Sequence, residues 1–218
     1  MLEENRLSTN QLFSKIYMWL CLGLLITFGV GYFVQENVSL LSFIFSNNLY
    51  FLIIIAEVIL ALVLSVRIHK MSSRTATILY LIYTALTGLT FSSIFVVYEL
   101  QSIIYIFLVT AVILFVFGLI GYKTNIDLSK FGTILMIGLI AVILLSIVSI
   151  FVEGLNLGLT ILSLVIFIGY IAYDVQMIKK RLYYSDNDDS LAIYGAFQLY
   201  LDFINVFIDL LRLFGKER

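Results

Sequence analysis

Proline is absent from all 218 residues, where about 5% is usual, so no helix of this chain is obliged to kink or stop at a proline. Charge is scarce as well. Only 12% of residues are charged and 62% are hydrophobic, against roughly 25% and 45–50% in an ordinary soluble domain, which excludes a water-soluble globule. The 13 Lys and Arg against 14 Asp and Glu leave a net charge of -1, so no basic field exists to attract DNA or RNA. The lone cysteine, Cys21, can neither close an internal disulfide nor supply a thiolate metal site. The lone histidine, His69, lies near Arg67 and next to Lys70, a membrane-surface setting rather than that of a pH switch or metal ligand.

Long apolar runs fill the space that these absences leave. Helices are expected over about 12–34, 49–68, 76–98, 103–121, 131–152, 157–178 and 191–214, each near the ~20 residues that a bilayer crossing needs. The first run is too long for a signal-peptide core and lacks a small-residue cleavage pattern, so it reads as a retained helix. The expected fold is an all-α integral membrane protein, with residues 1–218 forming a single transmembrane domain of seven helices and no separate soluble domain.

Positive charge alternates between the connections. Arg6 and Lys15 lie before or at the start of the first run, Arg67, Lys70 and Arg74 at the end of the second or between it and the third, Lys123 and Lys130 between the fourth and fifth, and Lys179, Lys180 and Arg181 between the sixth and seventh. The intervening connections carry only Glu36, Glu99 and Glu153. This asymmetry predicts a cytoplasmic amino terminus. A seventh crossing would place Arg212, Lys216 and Arg218 outside, against that rule. It is still expected, because a seven-helix bundle with a polar centre hides the acids best.

Those acids fall in a pattern. Gln198, Asp202, Asn205, Asp209 and Arg212 are spaced four, three, four and three, which is one face of a helix. Facing lipid, a mid-helix acid would cost about 2.5–3.5 kcal/mol on insertion scales, so the face is expected to point inward and the last helix to be central. With a rise of ~1.5 Å per residue, Glu57 and Asp202 both lie roughly 16 Å deep and Asp209 about 27 Å, while Asp174 closes the sixth helix near the level of Arg67. A ladder of acids predicts a path for a cation or proton. Blander readings exist for each: Asp174 as an interfacial cap, Asp209 neutralised by Arg212, and Glu57 paired with Asn205 or Gln198. The run Asp186-Asn187-Asp188-Asp189-Ser190 lacks the Gly and Glu of a calcium loop and reads as a solvated loop ending in a helix cap. Gly154 and Gly158 have small-residue packing spacing but straddle a loop.

Two longer motifs are more specific. Gly169-Tyr170-Ile171-Ala172-Tyr173-Asp174-Val175-Gln176 and Leu199-Tyr200-Leu201-Asp202-Phe203-Ile204-Asn205-Val206-Phe207 resemble the transmembrane Bax inhibitor motif family in its small bacterial members. Lys15-Ile16-Tyr17, the run Thr84–Thr90, Gly121-Tyr122-Lys123-Thr124, Asp127-Leu128-Ser129 and Gly132 extend the resemblance over nearly the whole chain. It implies one helix surrounded by six others and a pH-sensitive calcium leak. Asp174 and Asp202 take the place of the family's pH-sensing aspartates, and Arg67 that of the arginine that latches onto the helix-six aspartate. The depth count disagrees in part, setting Asp174 and Asp202 roughly 10 Å apart unless the sixth helix runs past Lys180 or the seventh is tilted.

The expected function is therefore a calcium leak gated by the pair Asp174 and Asp202, because two close carboxyls in a low-dielectric site cannot both ionise cheaply and so titrate as a unit. Glu57, Asn205 and Asp209 would line the ion path, with Asp202 and Glu57 as a weak calcium site. No enzymatic activity and no resident cofactor are expected. An intramembrane aspartyl protease lacks its Gly-x-Gly-Asp, since Tyr200 and Leu201 precede Asp202. The expected partners are the lipid bilayer, calcium as permeant ion and protons, with no nucleic acid and a monomeric state. The setting implied is a bacterial cell membrane. The alternatives are a proton-coupled transporter of a small solute and a non-conducting regulatory membrane protein.

Overall fold

The computed structural model describes residues 7–46, 48–149, 155–185 and 188–218. Arg6, Glu153, Gly154, Asp186 and Asn187, which entered the charge and loop readings above, lie outside the described residues, as does the His69 side chain. The helices are α1 (Thr9–Glu36), α2 (Val38–Ser46), α3 (Leu49–Arg67), α4 (Ser73–Val97), α5 (Leu100–Lys123), α6 (Gly132–Val148), α7 (Asn156–Leu182) and α8 (Asp188–Phe214). Among the described residues, seven helices are long and apolar enough to cross a membrane, the span of α6 being extended backward by the short turn Leu128–Phe131. The protein is thus an all-helical integral membrane protein with several crossings.

Local chemistry sets the ends. Ser8 caps α1 reciprocally: its hydroxyl accepts from the Gln11 N–H at 3.3 Å, and its own N–H donates to Gln11 Oε1 at 2.8 Å. Ser72 caps α4 by accepting from the Thr75 N–H at 3.2 Å. Asn48, at φ 36°, takes the left-handed turn that starts α3, a conformation asparagine tolerates better than most residues. The short α2 has no counterpart in the sequence reading. Its nine residues are too few to span, and Val38 and Phe43 are 76% and 58% exposed.

The chain divides into two compact units. The first holds the described residues of Met1–Glu99, with Arg181–Tyr200 and Arg218. In it α1 and α4 run parallel. The Tyr80 hydroxyl donates to the Trp19 carbonyl at 2.9 Å, and farther along Thr27 donates to the Thr84 carbonyl at 2.8 Å. Gly88 permits this approach, since a Cβ there would meet the Val30 Cβ at 2.6 Å.

The second unit comprises Leu100–Lys180 and Leu201–Glu217. There α5 crosses α7 at Gly121, where a Cβ would stand 2.1 Å from the Ala172 carbonyl oxygen. The carboxyl-terminal part of α7 is clasped to the connection after α5. Gln176 accepts from the Leu128 N–H and donates to the Ile126 carbonyl, both at 2.8 Å, while Lys179 donates to the Tyr122 carbonyl at 3.0 Å and covers that tyrosine's ring.

The last helix crosses. At its start, Lys15 of α1 pairs with Asp189 at 2.7 Å and Ser73 of α4 bonds Ser190 at 3.2 Å. Beyond its end, the Arg218 N–H donates to the carbonyl of Val97, the last residue of α4, at 2.9 Å. The chain therefore finishes at the opposite end of α4 from the one where α8 begins. Burial separates α8 from the other helices: 78% of its spanning window is buried, against 6% for α6. An element this covered needs no uniformly apolar surface, so it is the one that can carry acids.

Candidate functional site

Asp174 of α7 and Asp202 of α8 are only 6% and 4% exposed. Asp174 is the charge that bears on Asp202, and both carboxyls act on the phenol of Tyr170, one helical turn before Asp174. The two aspartates thus come together in the second unit. The helix α7 runs past Lys180 to Leu182, which sets Asp174 about 12 Å from the end of its helix rather than at its mouth. Asp202 Oδ2 has no hydrogen-bond partner among the described residues. A buried carboxyl oxygen in that position costs free energy, and a proton or a cation removes the cost.

Farther along the same two helices, Asp209 is 4% exposed, with the Ser163 hydroxyl and the opposite charge of Arg212 acting on it, and its Oδ2, like that of Asp202, has no hydrogen-bond partner among the described residues. Ser163, Tyr170 and Asp174 are spaced seven and four, so they form one polar face of α7 opposite the Asp202 and Asp209 face of α8. That face was readable in the sequence. It was missed because a serine and a tyrosine among apolar residues carry little signal singly. Asn205, half-buried, turns its amide to the Leu201 carbonyl of its own helix at 2.7 Å.

In the first unit Glu57 is half-buried, and its partners are threonines of α4. Thr90 donates to Glu57 Oε1 at 3.3 Å, and the Thr87 hydroxyl lies close enough to act on the same carboxyl. Thr87 also lies beside Tyr200, whose hydroxyl is 2.5 Å from Thr27 Oγ1. Glu57 therefore opens a buried hydroxyl network rather than standing alone. Arg67 ends α3 with an exposed side chain. Among the described residues, no three His, Cys, Asp or Glu side chains gather as a metal centre would require.

Just before the span that begins at Leu128, Asp127 accepts from Lys180 and from the Ser129 hydroxyl and N–H. The Lys180 bond, followed by those of Ser129, holds the Asp127 carboxyl below the usual carboxylate range. This clasp stays ionised at any mildly acidic pH.

Seven crossings with ionisable groups buried inside them define a multi-pass helical membrane protein whose polar interior is built mainly on its last two helices. Comparison with known proteins places it more narrowly. Residues 9–218 match the family described as Inhibitor of apoptosis-promoting Bax1, and the chain belongs to that Bax inhibitor-like family. It is 38% identical to the inner membrane protein YbhL of Escherichia coli strain K12, over 94% of this chain and 91% of that protein. A Borreliella burgdorferi protein described as uncharacterized is 40% identical, over 99% of this chain and 96% of its own length. A membrane protein of Streptococcus pyogenes serotype M1, also described as uncharacterized, is 35% identical over 98% and 96%.

Proposed function

We propose that this protein is a pH-sensitive calcium leak of a bacterial cell membrane, with its amino terminus in the cytoplasm and no enzymatic activity or resident cofactor. The observation that carries the reading is the Asp202 carboxyl, 4% exposed, with one oxygen lacking a partner and Asp174 as its neighbouring charge. Two such groups titrate as one unit, so a single proton changes the force between α7 and α8. Arg67 keeps its charge at every relevant pH and serves as the latch on Asp174, leaving the aspartates as the variable element. Glu57, Asn205 and Asp209 are the ion-path residues, and Glu57 and Asp202 bind calcium weakly. Hard divalent cations prefer such oxygens, and sites short of a closed cage favour passage over storage.

The test is calcium flux into liposomes across a pH series. Wild type should show a pH-dependent rate that Asp174→Asn and Asp202→Asn flatten. An unchanged pH profile in both variants would overturn the pair as sensor. Proton flux that requires an added solute would replace the leak with a coupled transporter, and no flux in any condition would favour a non-conducting regulator.

A further inference from the structure

At the amino-terminal ends of α1, α4 and α8, within the first unit, lies an open-sided cavity of about 330 Å³, at the small end of the range of ligand sites. Lys15, Arg74 and Asp189 supply its charge, and Met18, Trp19 and Ile193 its apolar wall. We propose that it seats the phosphodiester headgroup of a membrane phospholipid.

Charge comes first. Lys15 is committed to Asp189 at 2.7 Å, while Arg74 is exposed and has no ion pair among the described residues. Two cations and one carboxylate leave the lining with one positive charge in excess, which a phosphodiester monoanion neutralises. The planar guanidinium suits its two free oxygens in a bidentate pair. A dianion would leave one negative charge uncompensated beside Asp189.

Depth comes second. The 28 residues of α1 and 25 of α4 are about 42 and 37 Å long, so each overhangs a ~30 Å hydrocarbon core by only a few ångströms per end. Arg74 and Asp189 stand one residue inside their helices, at headgroup level. Lys15 lies about one turn deeper, within reach of the interface by extending its side chain. Met18, Trp19 and Ile193 follow toward the core, and an indole at this level is a usual interfacial anchor.

The route for the acyl chains is the third observation. Met18, Leu22 and Leu25, spaced four and three on one face of α1, are 59%, 39% and 71% exposed. That apolar strip starts in the cavity wall and leads toward mid-membrane. A soluble phosphate would use the charges alone; a phospholipid uses the charges and has acyl chains to lie along the strip, which faces the hydrocarbon.

The purified full-length protein in detergent provides the test, independently of ion flux. Phosphatidylglycerol added in mixed micelles should raise the thermal unfolding midpoint of wild type. Native mass spectrometry should find one tightly retained phospholipid. In Arg74→Gln with Lys15→Gln, apparent affinity should fall at least tenfold, whereas Lys130→Gln, which removes an exposed cation elsewhere, should match wild type. Inorganic phosphate and glycerol 3-phosphate should neither stabilise nor compete at concentrations where the lipid saturates. Equal lipid retention in the double variant would overturn the proposal, as would stabilisation by inorganic phosphate equal to that by lipid. Should the double variant lose stability by itself, a photoreactive acyl chain on phosphatidylglycerol decides with wild type: labelling at Met18, Leu22 or Leu25 supports the site, and labelling confined to other helices rejects it.

Discussion

Asp202 and Glu57 are both acids within spanning helices, yet their surroundings divide their roles. The Glu57 carboxyl accepts from the Thr90 hydroxyl with that of Thr87 close by, whereas Asp202 keeps an oxygen without a partner among the described residues and faces a second carboxyl. A satisfied group holds a structure in place; an unsatisfied one responds to protons and cations. Thr87 sits between Glu57 and Tyr200 and also donates to the Tyr83 carbonyl at 3.0 Å. Thr87→Val keeps the shape and removes the hydroxyl. It should lower stability by about 1–2 kcal/mol in denaturant unfolding, with Thr87→Ser restoring most of the loss. None of this network was read from the chain, although Thr84, Thr87 and Thr90 recur every third residue. Threonine is common in membrane helices, so its spacing alone does not say which acid it meets.

Helix contacts turn on single atoms. The Ala172 carbonyl oxygen lies where a Cβ of Gly121 would be, at 2.1 Å, two residues before Asp174. Neither backbone can yield cheaply, so Gly121→Val should destabilise by about 3 kcal/mol or more in thermal unfolding and displace the helix that carries Asp174. The clasp at Asp127 behaves differently. Its carboxyl lies below the ordinary range because of Lys180 and Ser129, so its contribution is complete above the ordinary carboxylate pKa and is lost only as pH falls through the depressed value. Stability profiles of wild type and Asp127→Asn should therefore run parallel from neutral to mildly acidic pH and converge only in strong acid. Profiles that diverge in the mild range would assign pH sensing to this exposed pair instead of the buried one.

For the whole molecule the deciding feature is that α8 crosses. Its start adjoins Lys15 and Ser73, and the chain end bonds Val97 at the far end of α4. Arg212, Lys216 and Arg218 thus lie toward the side opposite the α8 start, although charge counting alone argues against it. In a Cys21→Ser background, a membrane-impermeant thiol reagent should label Asn10→Cys and Glu217→Cys from opposite faces of the membrane. Labelling from the same face would overturn the crossing. Packing outweighs three late charges here because α8 is the most thoroughly buried helix, and turning it back would expose Asp202 and Asp209 to lipid.

Composition, run length and residue spacing determined that this chain lives in a membrane, crosses it about seven times and carries acids on one face of its last helix, because the cost of charge in hydrocarbon leaves few other arrangements. The motifs that carry the resemblance already paired Asp174 with Asp202; the threonine on Glu57 and the serine beside Asp209 were decided only by tertiary structure. Depth along a helix is countable from sequence. Which side chain meets which across a helix contact depends on rotation and tilt, and single glycines such as Gly121 and Gly88 set those through contacts between residues distant in the chain.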